Sequence, residues 1–139
     1  MQLPSNLLGS NIKRGAILHS EDFDWIDHGK FFVVIGVSET SIAGFFFINS
    51  RIHPSIMNKQ ELLNMQYLLK ASDYSFLRYD SFLSATNIIK KDKAVIEKSI
   101  NNGTTKFVDN LKDEHLEDVL NLVRASKLFS NKDKRDFFS

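Results

Sequence analysis

The chain has 139 residues, a formal net charge of +1, and 42% hydrophobic against 25% charged residues. That is enough chain for one domain with its own core, and the charge balance excludes no partner class. There is no cysteine, which excludes disulfides, thiolate nucleophiles and Cys-type zinc sites and fits a reducing compartment.

Residues 1–11, with Pro4 and Gly9, read as an irregular lead-in. They lack the basic-then-apolar order of a signal peptide. The longest apolar run, about five residues, is far short of a membrane span. We expect a soluble cytoplasmic protein with a single domain over 1–139.

Ile12 to His19 reads as a first strand, with Gly15 permitting a bend near its start. Ser20 to Asp27 is an acidic loop anchored by Phe23, Trp25 and Ile26. Phe31 to Ile35 and Phe45 to Ile48 are short β-branched and aromatic runs bounded by glycine. They read as adjacent buried strands joined by a hairpin-type loop. In an antiparallel pair, their polar ends meet at one edge of the sheet.

A helix is expected from Asn58 to Lys70. Asn58 and Glu61 have capping-box spacing, and Leu62, Met65 or Gln66, and Leu69 form a stripe. Tyr79 to Ile89 reads as a strand with mixed faces. Ala94 to Ile100 and Thr104 to Val108 read as a second hairpin around Asn102-Gly103, with a short helix over 94–101 as the alternative. Lys112 to Phe129 is the clearest helix, acidic in its first half and basic in its second. Residues 130–139 read as a polar tail whose Phe137-Phe138 either tucks back or meets a partner.

The sum is a mainly β fold, a small β-barrel with α-helices: five or six antiparallel strands, one crossover helix and a C-terminal helix. Closure is favoured over an open sheet because it removes exposed edges.

Neither helical metal-site spacing nor HExxH occurs among His19, His28, His53 and His115, and the P-loop, GxGxxG and GxSxG patterns are absent. We expect no metal and no cofactor. The remaining site-like residues are Lys30, Asn49, Ser50, Arg51, Arg78 and Ser81, with His28 and His53 near the same strand ends. Cations beside a hydroxyl and an imidazole suit metal-free phosphodiester cleavage. The same residues also read as ordinary strand-end polar groups that satisfy the backbone.

Three early segments, IKRGAILH, GKFFVVIG and FFFINS, resemble the opening strands of the MazF/PemK-like toxins of type II toxin–antitoxin systems. FLRYDSFLSATNIIKKDKAVIE and DEHLEDVLNLVRASKLF resemble that family's later strand region and final helix, so the likeness spans most of 12–129. It implies an SH3-like barrel and a ribosome-independent, metal-independent endoribonuclease cutting single-stranded mRNA. It also implies a homodimer, neutralised by an antitoxin protein.

Carried over by position, the family's catalytic arginine falls on Lys30 and its catalytic threonine on Asn49 or Ser50. From their charge, imidazole or hydroxyl, Arg14, His28, Arg51, His53, Arg78 and Ser81 are the expected RNA contacts. The departures are physical. Lysine keeps the charge without the bidentate fork, Phe31 replaces a proline, Ala16 replaces an acid, and the later arginine is missing near Asn87 to Ile89. A barrel that binds RNA or a protein without cutting is the alternative expectation.

Overall fold

The structure, a computed structural model, describes residues 12–21, 30–44, 46–49, 52, 54 and 57–139. Nine strands and four helices lie among them. In chain order they are β1 (Ala16–Ser20), β2 (Lys30–Val33), β3 (Gly36–Val37), β4 (Ser41–Ala43), β5 (Phe46–Asn49), α1 (Gln60–Leu63), β6 (Gln66–Leu69), β7 (Ser81–Ser84), β8 (Lys91–Asp92), α2 (Lys93–Asn102), β9 (Thr105–Asn110), α3 (Asp113–Ala125) and α4 (Asn131–Phe137). None of these helices is long and apolar enough to cross a membrane.

Six strands form one sheet in the order β6-β7-β5-β2-β1-β9, and β3-β4-β8 form a second. Every pairing is antiparallel. The two sheets adjoin along the chain, because β3 follows β2 after only two residues. The fold is mainly β with helices, in a small barrel-like arrangement, as the residue pattern predicts.

Strand alternation explains why the central run is apolar without a break. Ile17, Val33, Ile35 and Ala43 belong to the larger core, which continues through Leu69, Leu83, Val119, Val123 and Phe138. Their neighbours Ala16, Leu18, Phe32, Val34 and Ile42 belong to a smaller core closed by Ile96 of α2. Successive side chains point to opposite faces, so a strand buried on both sides must be apolar at every position.

β2 and β5 pair antiparallel as expected, with Phe32 opposite Phe47. The segment between them is more than a loop: β3 and β4 form a small hairpin of their own. The helix expected from Asn58 to Lys70 survives only as α1, capped at Lys59 rather than Asn58. Gln66–Leu69 is instead the edge strand β6. Buried Met65 and Leu69 are four apart, a spacing that suits one helix face and also one strand face, and the ladder offered by β7 decides it.

Ala94 to Ile100 takes the helical alternative. The Asn102-Gly103 pair ends α2, with Gly103 in the left-handed conformation at φ 81° and its N–H bonded to Ile100. That is a helix C-cap, not a hairpin turn. The strand expected over Tyr79 to Ile89 shortens to Ser81–Ser84.

The expected polar tail is the helix α4, whose N-cap Ser130 accepts from the Asp133 N–H. Phe137 and Phe138 are buried in the larger core. Two guanidiniums hold this end: Arg14 Nη2 donates to Phe137 O (2.6 Å) and Ser139 O (2.9 Å), and Arg124 Nε donates to Phe138 O (2.6 Å). Burial, and then the neighbouring Arg124 charge, lower the Arg14 pKa from its ordinary value.

The docking of α4 requires a glycine at 36. A Cβ there would lie 2.5 Å from Phe137 Cβ and 2.7 Å from Phe137 O. Gly36→Ala is expected to lower stability by about 1–3 kcal/mol, as overpacking does. Phe138→Ala, which empties a core position, is expected to lower it by about 3–5 kcal/mol. Chemical denaturation of both variants checks the ranking.

Candidate functional site

Strand register determines which of the candidate residues share one end of the sheet. Ser20 is opposite Lys30 in β2 and opposite Thr105 in β9. The β2–β5 register, carried two residues past Phe32 and Phe47, sets Lys30 opposite Asn49. Asn49 in turn is opposite Phe82, whose neighbour Ser81 opens β7. The backbones of Ser20, Lys30, Asn49, Ser81 and Thr105 therefore line one rim, and exposed Arg78 lies three residues before β7 begins. Ser50, Arg51, His28 and His53 lie outside the described residues, as does most of the acidic loop.

Arg14 is not brought to this rim. It precedes β1 at the Ala16 end, six residues from Ser20, or about 20 Å along an extended strand. Its guanidinium is engaged by the carbonyls after α4. Ser81 is at the rim, but its hydroxyl is buried and donates to Tyr79 O at 3.0 Å. Its visible role is to fix the entry into β7.

A group of hydroxyls missed by the sequence reading borders the rim. Ser20 Oγ lies 2.8 Å from Thr105 Oγ1. Thr105 Oγ1 is also hydrogen-bonded to Ser99 Oγ, and Ser99 Oγ lies 3.0 Å from Thr104 Oγ1. Ser20, Ser99 and Thr105 are each buried. A buried hydroxyl needs a partner, and three elements converge here to supply one. Strand periodicity carries the signal: Ser20 follows Ala16 and Leu18 on the face of the smaller core, so it points inward.

A second polar cluster lies where α3 meets the 67–74 segment. The Tyr74 hydroxyl accepts from the Lys112 N–H at 3.0 Å and lies 2.6 Å from His115 Nδ1. On the other side of the ring, His115 Nε2 lies 3.7 Å from Glu114 Oε1. Tyr67 donates to Asp118 Oδ2 at 2.7 Å. These bonds tie β6 and the following turns to α3. His115 is thus packed against Tyr74 and joined to its hydroxyl through Nδ1. Among the described residues, no three of His, Asp or Glu are grouped to hold a metal ion.

Both phenols are held above their ordinary pKa. Burial is the main cause for each, followed for Tyr67 by the Asp118 hydrogen bond and charge. A raised native pKa favours the protonated fold. Its contribution is complete below the unfolded value of about 10 and is lost as pH rises through the native value. Unfolding free energy is therefore expected to fall with increasing pH above about 10. The Tyr67→Phe, Tyr74→Phe double variant should show a shallower fall in a series of denaturation curves. No family model matches the chain, and no curated protein matches it in sequence.

Proposed function

We propose that the chain is the toxin of a type II toxin–antitoxin system: a cytoplasmic, metal-independent endoribonuclease that cuts single-stranded RNA at the Lys30–Asn49 rim. The observation that supports this reading is the antiparallel order of the strands, which brings the Lys30 end of β2 and the Asn49 end of β5 to the edge where Ser81 opens β7 and Arg78 precedes it. The backbones of a lysine and an asparagine then lie at the end of a sheet whose central strand is buried on both faces, the rigid footing that precise chemistry needs.

The reaction is attack of the ribose 2′ oxygen on the adjacent phosphorus. The 5′ oxygen leaves with a proton, and the product is a cyclic phosphate. Lys30, charged at neutral pH, stabilises the negative charge gathering on the phosphoryl oxygens. Asn49 and Ser50 supply hydrogen bonds to the same group, and His28 or His53 carries the protons. The resemblance adds a homodimer restrained by an antitoxin protein.

A second reading, a barrel that binds RNA or a protein without cutting, draws on two observations. Lysine stands where the related toxins have arginine, and the Ser81 hydroxyl is turned to Tyr79 O. Incubation of the folded protein with single-stranded RNA in the presence of a chelator separates the two. Cleavage is expected, with Lys30→Ala and Ser50→Ala slowing it by about 10²–10⁴-fold. Binding without any cleavage supports the second reading and overturns the first.

A further inference from the structure

One residue in from the rim, β1 carries a histidine that the interactions described above leave unused. His19 follows Ile17 by two positions, on the face of β1 that meets the larger core. The register sets it opposite Phe31 in β2 and opposite Lys106 in β9. Directly opposite residues of an antiparallel pair share a face, with Cβ atoms about 5 Å apart. Lys106, His19 and Phe31 therefore stand side by side on one face of three adjacent strands.

The imidazole ring is held, but its nitrogens are not. It meets Phe31 edge to face at 4.9 Å, Phe31 meets Phe76 at 4.9 Å, and Phe76 meets the buried Tyr74 at 6.0 Å. This row of rings roots His19 in the core. Among the described residues, none is hydrogen-bonded to either His19 nitrogen, and no buried polar side-chain atom lacks a partner. Both nitrogens consequently reach solvent. Lys106 is exposed, and no described acid pairs with it.

A lone lysine on an edge strand needs no explanation beyond discouraging further pairing. Here it stands beside a braced imidazole whose nitrogens are free, so that a donor faces a donor across the strands. Imidazole offers at least one N–H in either protonation state, and an ammonium offers three. A tetrahedral oxyanion has oxygens enough to accept from both at once, through charge-assisted hydrogen bonds.

We infer that His19 and Lys106 form a binding site for a phosphoryl group, carried by a free nucleotide or by an RNA strand passing the sheet end. The site does not depend on whether RNA is cut. One group opposes it. The ladder continues past Ser20, where the Glu21 N–H donates to Thr104 O at 3.0 Å, so exposed Glu21 follows His19 on the same face. Its carboxylate repels an anion.

The test follows the imidazole signals of the isotope-labelled full chain by NMR, at constant ionic strength. The chain has four histidines, and the signals absent from His19→Gln are those of His19. Inorganic phosphate, uridine 5′-monophosphate and a 2′-O-methyl oligouridylate are titrated separately, with acetate as the control anion. The His19 signals are expected to move and saturate with phosphate compounds but not with acetate. Lys106→Ala should weaken that response about 5-fold or more, and Glu21→Gln should strengthen it. Position 106 is exposed, and melting curves establish that each variant is folded.

A response to the two small phosphates supports a site for a free phosphate or nucleotide, and a response to the oligonucleotide alone supports a subsite on a strand. The inference is overturned by no response to any of the three, by an equal response to acetate, or by full affinity in Lys106→Ala. A filled site with intact RNA leaves this inference standing while the nuclease reading falls, and cleaved RNA with an unresponsive His19 does the reverse.

Discussion

The run Phe32–Ile35 is buried on both sides, and this double burial is the constraint on which the rest of the fold depends. One set of side chains faces α3 and α4, and the alternate set faces α2. Such a strand has a cost in specification. Where one face is polar, a one-residue slip is punished at every position, but where both faces are apolar the pattern alone does not fix the register. Polar and steric features fix it instead. The Ser20–Thr105 hydroxyl pair matches only one alignment of β1 with β9. Gly36 admits the end of α4 at one point along the strand.

Double burial also accounts for where chemistry collects. Polar side chains have no place in the middle of this sheet, so they gather at the strand ends. The two ends of β1 then serve different purposes. At the Ala16 end, Arg14 joins Arg124 in holding the carbonyls that follow α4. At the Ser20 end, the register gathers Lys30, Asn49 and Thr105. β9, at one edge of the large sheet, carries a register shift opposite Ile17/Leu18, and an exposed lysine at 106. Both features discourage further strand pairing at an edge.

Elements set by dense, glycine-bounded apolar runs are readable from residues alone. The β2–β5 pairing and the face of α3 follow from composition and periodicity. Segments with two valid periods are not readable in this way. Met65 to Leu69 satisfies a helix stripe and a strand alternation equally, and the partner strand β7 selects between them. Asn102-Gly103 suits a hairpin turn or a helix cap, and the burial of Ile96 and Ser99 on one side of α2 selects the cap. At the rim, strand-end chemistry pointed to Lys30, Asn49 and Ser81. Arg14 was misplaced because charge type says nothing about which end of a strand a residue occupies. Ser20 and Ser99 were missed because an isolated serine gives no signal until its inward direction is known.

The clasp between Arg14 and the end of α4 joins residues 123 and 125 positions apart. Loop closure on that scale is among the slow steps of folding, because its entropy is lost before the contact forms. A chain emerging from the ribosome has β1 exposed long before Phe137 and Phe138 are made, so one side of its central sheet lacks its cover until translation has passed them. The larger core is therefore completed only after Phe137 and Phe138 have been made, whatever has folded before them.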